Sequence, residues 1–169
     1  MSKNIVLCGF MGSGKSVTGK LIAEKLGFTF VDMDSFLEKQ SGMSVNDIFK
    51  TLGEPSFRRM ETEAAKQLGQ KDSLVIATGG GAVLNPQNVN YLKANGIVFL
   101  LDVTADTVKN RLKNDASRPL LAKDKENTIE NLLSERKAAY LSAADYIIDS
   151  NSSKFCTADD IIKIYNSVL

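Results

Sequence analysis

One octapeptide restricts the folds open to this chain more than any other stretch: Gly9-Phe10-Met11-Gly12-Ser13-Gly14-Lys15-Ser16. It fits G-x-x-x-x-G-K-[ST] in full, and the pattern has a mechanism only between a strand and a helix. Both flanks are present. An apolar run at 4–8 precedes it, and the helical segment that follows is closed by Gly27. The glycines let backbone N–H groups turn inward toward phosphate oxygens, in conformations that a Cβ would obstruct. A helix beginning near Lys15 adds the positive end of its dipole. The nucleotide-binding set read from this stretch is Gly12, Ser13, Gly14, Lys15, Ser16 and Val17. Lys15 reaches the β- and γ-phosphates of ATP, and the Ser16 hydroxyl takes one Mg²⁺ position. A bare glycine-rich turn is the competing reading, and the intact flanks argue against it.

The rest of the chain repeats the same rhythm. Short apolar runs at 4–8, 29–31, 74–77, 97–102 and 146–149 alternate with helical stretches. Pro86 opens one helix at its first turn and Asn95-Gly96 ends it. Thr104 reads as the N-cap of the helix carrying Val108 and Leu112, and Thr157 as the cap of the last helix. Strands that are apolar nearly throughout require a parallel sheet covered on both faces, so the alternation predicts a doubly wound α/β fold. With 169 residues the chain is long enough for one such domain and too short for two. The polar segment 114–127, with Arg118-Pro119 inside it, is long for a connection and reads as a lid.

Composition narrows the chemistry. A net charge of +1 offers no basic stripe for nucleic acid. No run is long and apolar enough to span a bilayer, and no leader pattern precedes the first strand. Cys8 and Cys156 lie far apart, so reduced thiols in the cytoplasm are expected rather than a disulfide or a zinc site. Nothing in the sequence demands more than a monomer. There is no histidine, so any proton acceptor must be Asp, Glu or Lys.

The phosphate-binding loop alone does not choose between a kinase, a GTPase and an ATPase. The guanine-reading Asn-Lys-x-Asp sequence is absent. Val31-Asp32-Met33-Asp34 closes the second strand, and in an extended segment Asp32 and Asp34 share a side. Asp32 could hold a metal-bound water and Asp34 accept a hydroxyl proton. Alternatively Asp34, with Ser35, only caps the next helix. Arg58, beside Phe57 and with Phe49 upstream, could clamp a carboxylate with its planar fork, held by Glu61 one turn on. A solvated Arg–Glu pair with two core phenylalanines is the alternative. Thr78-Gly79-Gly80-Gly81 ends the third strand and lets a ligand approach the backbone, unless it is a plain turn. Asp102 imitates a Walker-B acid or starts a turn. Arg118 in the lid could reach a transferring phosphoryl group, Arg111 before it could stack on adenine, and Arg136 lies on the helix after it.

Taken together, G-F-M-G-S-G-K-S, V-D-x-D, G-E-x-x-F-R-x-x-E, T-G-G-G, R-P-L-L and L-x-x-x-R-x-x-x-Y, in this order, resemble the shikimate kinase family over nearly the whole chain. The resemblance implies a P-loop NTPase fold of the nucleoside-monophosphate-kinase type. In it a five-stranded parallel sheet is flanked by helices, a lid at 114–127 and a small substrate-binding helical region at 33–61. It implies a transferase that moves the γ-phosphate of ATP to the 3-hydroxyl of shikimate, with Mg²⁺, in aromatic amino acid biosynthesis. By position, Asp34, Arg58, Gly80 and Arg136 match the acceptor-binding set, with Asp34 the base. Lys15 and Arg118 match the groups on the transferring phosphoryl, Ser16 and Asp32 the direct and water-mediated metal contacts, and Arg111 the adenine contact. Val45, Phe49, Phe57 and Glu61 fall in the pocket wall. The loop at 150–154 carries no readable motif. Another small-acceptor kinase, for gluconate or a nucleoside monophosphate, and a catalytically dead nucleotide-binding protein are the competing readings.

Overall fold

The structure is a computed structural model that describes residues 2–113 and 125–169, with side chains from 128 onward in the second part. Arg118 and nearly all of the expected lid at 114–127 lie outside the described residues.

Five strands alternate with helices. They are β1 (Asn4–Cys8), β2 (Thr29–Asp32), β3 (Leu74–Ala77), β4 (Gly96–Asp102) and β5 (Tyr146–Asp149). The helices are α1 (Lys15–Leu26), α2 (Met33–Ser41), α3 (Val45–Leu52), α4 (Glu54–Gly69), α5 (Pro86–Lys93), α6 (Ala105–Leu112), α7 (Lys125–Ala143) and α8 (Lys154–Val168). All strand pairs are parallel, in the order β2-β3-β1-β4-β5. The chain therefore runs outward from β1 to the edge, returns through β3, and crosses to β4 on the other side. Ligands of such sheets gather outside the carboxyl ends of the strands at this reversal.

Why the three inner strands are apolar nearly throughout follows from the two-residue period of a strand whose two faces are both covered. Ile5, Leu7, Val75, Ile97, Phe99 and Leu101 pack on one face with Ile22 of α1 and Ile161 and Tyr165 of α8. Val6, Cys8, Ile76, Val98 and Leu100 face the other way, against Leu37, Ile48, Leu68, Leu92 and Val108. The doubly wound expectation holds. The edge strands β2 and β5 are only partly covered, and Ile147 is exposed.

The boundaries differ from expectation by single residues at β2 and β4, and by a full turn at α8. Its cap is Ser153, whose Oγ accepts from the Cys156 N–H at 3.3 Å, and not Thr157. Thr157 is buried and turns its own hydroxyl back to the Ser153 carbonyl at 3.2 Å. That bond lets a threonine sit inside a helix. Gly27, Thr104 and Pro86 punctuate their helices as expected. Among the described residues no helix is long and apolar enough to cross a membrane.

Candidate active site

The loop from β1 to α1 is shaped by glycines in backbone conformations that other residues rarely adopt. Gly9 has φ 144°, and a Cβ there would meet the Leu101 carbonyl at 2.8 Å. Gly14, at φ 92°, is the N-cap of α1, so backbone N–H groups open toward the loop. Lys15 Nζ donates to the carbonyls of Gly9 (2.8 Å) and Phe10 (3.0 Å), which holds the ammonium over the loop. Ser16 Oγ donates to Asp32 Oδ2 at 2.9 Å. A hydroxyl beside a carboxylate is a hard-oxygen pair of the kind Mg²⁺ takes, usually with waters and substrate phosphates completing its shell.

Asp32 has a second task. Its Oδ1 accepts the Ser35 N–H at 3.1 Å, so Asp32 ends β2 and caps α2 together. The extended segment expected through Asp34 is thus incorrect, and so is Asp34 as the cap. The chain turns helical at Met33, and Asp34 sits in the first turn of α2. Asp32 and Asp34 still line one cavity because the cap and the first turn share the helix N-terminus.

That cavity, about 470 Å³, extends from Lys15 and Ser16 past Asp34 to Arg58 and Arg136. Gly12, Gly14, Val17, Val45, Phe49, Phe57, Glu61, Gly80 and Arg111 also line it, whereas Ser13 of the loop is fully buried, its N–H donating to the Phe10 carbonyl at 3.1 Å. Helices α2, α3 and α4, which fall between β2 and β3 in the chain, supply its acceptor side. Phe49 and Phe57 pack there with ring centroids 4.6 Å apart and planes tilted by 34°, and the Arg58 guanidinium lies 5.4 Å from the Phe57 centroid.

Arg58 is not half of a solvated pair. Its Nη1 donates to Glu61 Oε1 at 3.0 Å and its Nη2 to the exposed Glu54 at 3.3 Å. Glu61 is 2% exposed. Burial pushes its carboxyl above the ordinary value, the Arg58 charge and hydrogen bond pull it down, Asp34 pushes it up again and Arg136 pulls it down. A buried carboxylate of this kind keeps a guanidinium aimed in one direction.

The Thr78–Gly81 turn is more than a permissive backbone. A Cβ on Gly79 would lie 2.9 Å from Asp34 Oδ1 and 3.2 Å from Glu61 Oε2. On Gly80 it would lie 3.3 Å from Arg136 Nη1, and on Gly81 2.7 Å from Arg58 Nη1. Gly79 leaves room for two charged side chains of the acceptor side and Gly80 and Gly81 for one each, which the plain-turn reading does not explain. Thr78 Oγ1, at the head of the turn, is buried without a hydrogen-bond partner among the described residues.

Asp102 is exposed and outside the cavity; it ends β4, and its carbonyl accepts the Ser150 N–H at 2.9 Å beside the β4–β5 pairing, so neither the Walker-B reading nor a turn is seen there. Arg111 donates to the carbonyls of Gly12 (2.9 Å), Ser150 (2.6 Å) and Ser152 (3.3 Å). Ser150 Oγ in turn donates to the Ser13 carbonyl at 2.7 Å. The 150–152 loop thus buttresses the phosphate-binding loop. It was illegible in the sequence because it acts through carbonyls and one serine, which form no motif.

Comparison with known proteins agrees with this geometry. A family model described as shikimate kinase matches residues 11–166. The shikimate kinase of Thermodesulfovibrio yellowstonii is 45% identical over 165 residues, covering 96% of this chain and 95% of that one. The Caldicellulosiruptor bescii shikimate kinase is 43% identical over 164 residues, with 96% and 95% covered. Among solved structures, the Acinetobacter baumannii shikimate kinase in complex with shikimate superposes with TM-score 0.88 at 36% identity, covering 99% of this chain and 93% of that one. A gluconokinase from Sinorhizobium meliloti, at 14% identity and TM-score 0.60, shares the fold alone. The motifs in their order, the parallel sheet with its phosphate-binding loop, and these matches place the chain in the shikimate kinase family.

Proposed function

We propose that this chain transfers the γ-phosphoryl group of ATP to the 3-hydroxyl of shikimate, giving shikimate 3-phosphate and ADP on the way to the aromatic amino acids. The observation that carries the reading is the cavity itself, where a phosphate-binding loop converges with Asp32, Asp34, Arg58, Arg111 and Arg136. Shikimate is a monocarboxylate with three hydroxyls, and it needs guanidinium forks at one end and oriented acceptors at the other.

In this mechanism Arg58, held by Glu61, and Arg136 bind the carboxylate end against Val45, Phe49 and Phe57, and the Gly80 backbone completes the contacts. Asp34 accepts the proton of the 3-hydroxyl as its oxygen bonds to the γ-phosphorus. The bond from phosphorus to the β,γ-bridging oxygen breaks, and ADP leaves. Lys15 and the N–H groups of Gly12 and Gly14 offset the charge on the phosphate oxygens, and Arg118 is assigned to the same task by its place in the sequence. Mg²⁺, held by Ser16 directly and by Asp32 through a water, would neutralise phosphate charge when bound. Arg111 and Val17 take the base. Much of the barrier reduction in such a reaction comes from positioning and electrostatics, so these rigid supports matter as much as the reacting groups.

We place the enzyme in the cytoplasm as a monomer, in keeping with its two free thiols. The test is ADP release measured with shikimate, gluconate and AMP as acceptors, with Mg-ATP. Shikimate is expected to turn over alone. Turnover of gluconate or AMP without shikimate would overturn the assignment, and ATP binding without turnover of any acceptor would favour the catalytically dead reading.

A further inference from the structure

Helix α7 meets the glycine turn twice. Arg136 Nη1 approaches Gly80, and one helical turn later the Tyr140 hydroxyl donates to the Gly80 carbonyl at 2.7 Å. Tyr140 is 2% exposed. Burial pushes its phenol above the ordinary value although Arg136 pulls it down, so the hydroxyl stays a donor at any working pH.

The carbonyl that Tyr140 holds belongs to the peptide unit joining Gly80 to Gly81. Neither flanking residue has a Cβ, so this is the peptide of the turn whose rotation side-chain sterics oppose least. Its neighbours are tied down separately. The Thr78 N–H donates to the Leu7 carbonyl (3.0 Å), the Ala82 N–H to that of Gly79 (3.1 Å) and Asn88 Nδ2 to that of Ala82 (2.9 Å). In a planar trans unit the N–H points opposite to the carbonyl, so fixing one fixes the other. With the carbonyl turned to α7, the Gly81 N–H is turned away from α7.

We propose that Tyr140 is a positioning residue for the acceptor: its hydroxyl locks the Gly80–Gly81 peptide, which keeps the glycine turn in register with Asp34, Arg58 and Arg136. Tyr140 touches no reacting atom in this scheme. It acts through Gly80, and it couples the turn to the same helix that carries Arg136. The kinetic part rests on the phosphotransfer reading above, whereas the conformational part does not.

The test uses Tyr140→Phe, which keeps the buried ring and removes the hydroxyl, with its bond to the Gly80 carbonyl and its hydrogen bond with Arg136. In the ligand-free variant the amide resonances of Gly80 and Gly81 are expected to broaden or double as the peptide rotates, while those of Gly12 and Gly14 stay as in the wild type. With Mg-ATP and shikimate, the acceptor KM is expected to rise about five- to tenfold, the factor that one hydrogen bond carries, with the ATP KM within about twofold of wild type. A lower Tm with unchanged Gly80 and Gly81 resonances would make Tyr140 merely structural and overturn the proposal. Equal rises in both KM values would overturn it too. A wild type that does not turn over shikimate would sink the proposed function instead, and the ligand-free resonances would still decide the role of Tyr140.

Discussion

Asp34 and Glu61 are two carboxylates that meet at Gly79, each within reach of a Cβ built there, yet their surroundings assign them different work. Asp34 sits in the first turn of α2 and lines the cavity, where a hydroxyl can meet it. Asp34→Asn retains the shape and removes the base. We expect kcat to fall by about 10²- to 10⁴-fold with the ATP KM nearly unchanged, read from steady-state kinetics. Glu61 is the buried charged side chain among the described residues, and its carboxyl is raised chiefly by desolvation. The folded value lies above the unfolded one. The folded state therefore binds the proton more tightly, and this contribution is full below the ordinary carboxyl value of 4.5 and lost as pH rises through the raised value. Thermal unfolding of wild type and Glu61→Gln from pH 4 upward checks the sign: relative to the variant, wild type is expected to lose Tm as pH increases. A wild type that gains Tm over that window would mean the Arg58 pairing outweighs burial.

Between the side chains and the site stand the helices, and their spacing is set by small residues. Gly69, the last residue of α4, packs against α5 so closely that a Cβ would collide with the backbone carbonyl of Tyr91. Backbone cannot swing aside as a flexible side chain does. Gly69→Ala must therefore push α4 and α5 apart, at a cost of about 1–3 kcal/mol. A fall in Tm of about 2–4 °C per kcal/mol is expected for a chain of this length. Because Gly69 lies at the far end of α4 from Arg58, KM values for both substrates should hold at temperatures where the variant is folded. A shift in acceptor KM without loss of Tm would show instead that α4 transmits strain along its length.

On the scale of the molecule, the parallel sheet brings together segments that are remote in the chain. Arg111 and Ser150 reach the phosphate-binding loop from 99 and 137 positions away. Binding at such a junction stabilises the fold, since every participating segment must be in place at once. Mg-ATP at about 100 times its Kd should add about 2.7 kcal/mol, seen as a rise in Tm. Chelating the metal with EDTA is expected to remove most of that rise, and Ser16→Ala to do the same with metal present. An undiminished rise in both experiments would take the metal away from Ser16.

The phosphate-binding loop and the doubly wound class were legible because their signals are local. Eight consecutive residues set the backbone of the loop, and an apolar run between turn residues marks a strand wherever it later packs. The arginines and acids at 32–61 and 136 were legible as motifs, although their chemistry stayed open between a site and a solvated surface. That choice depends on water, and water is excluded only once α2, α3, α4 and α7 have closed around Glu61 and Tyr140. Folding alone decided that Arg58 is held by a buried carboxylate, that Asp32 rather than Asp34 caps α2, and that the three glycines at 79–81 make room for charged side chains. The same holds for the 150–152 loop, whose carbonyls gain their meaning from an arginine about forty residues away in the chain, and no reading of neighbours in sequence can supply that.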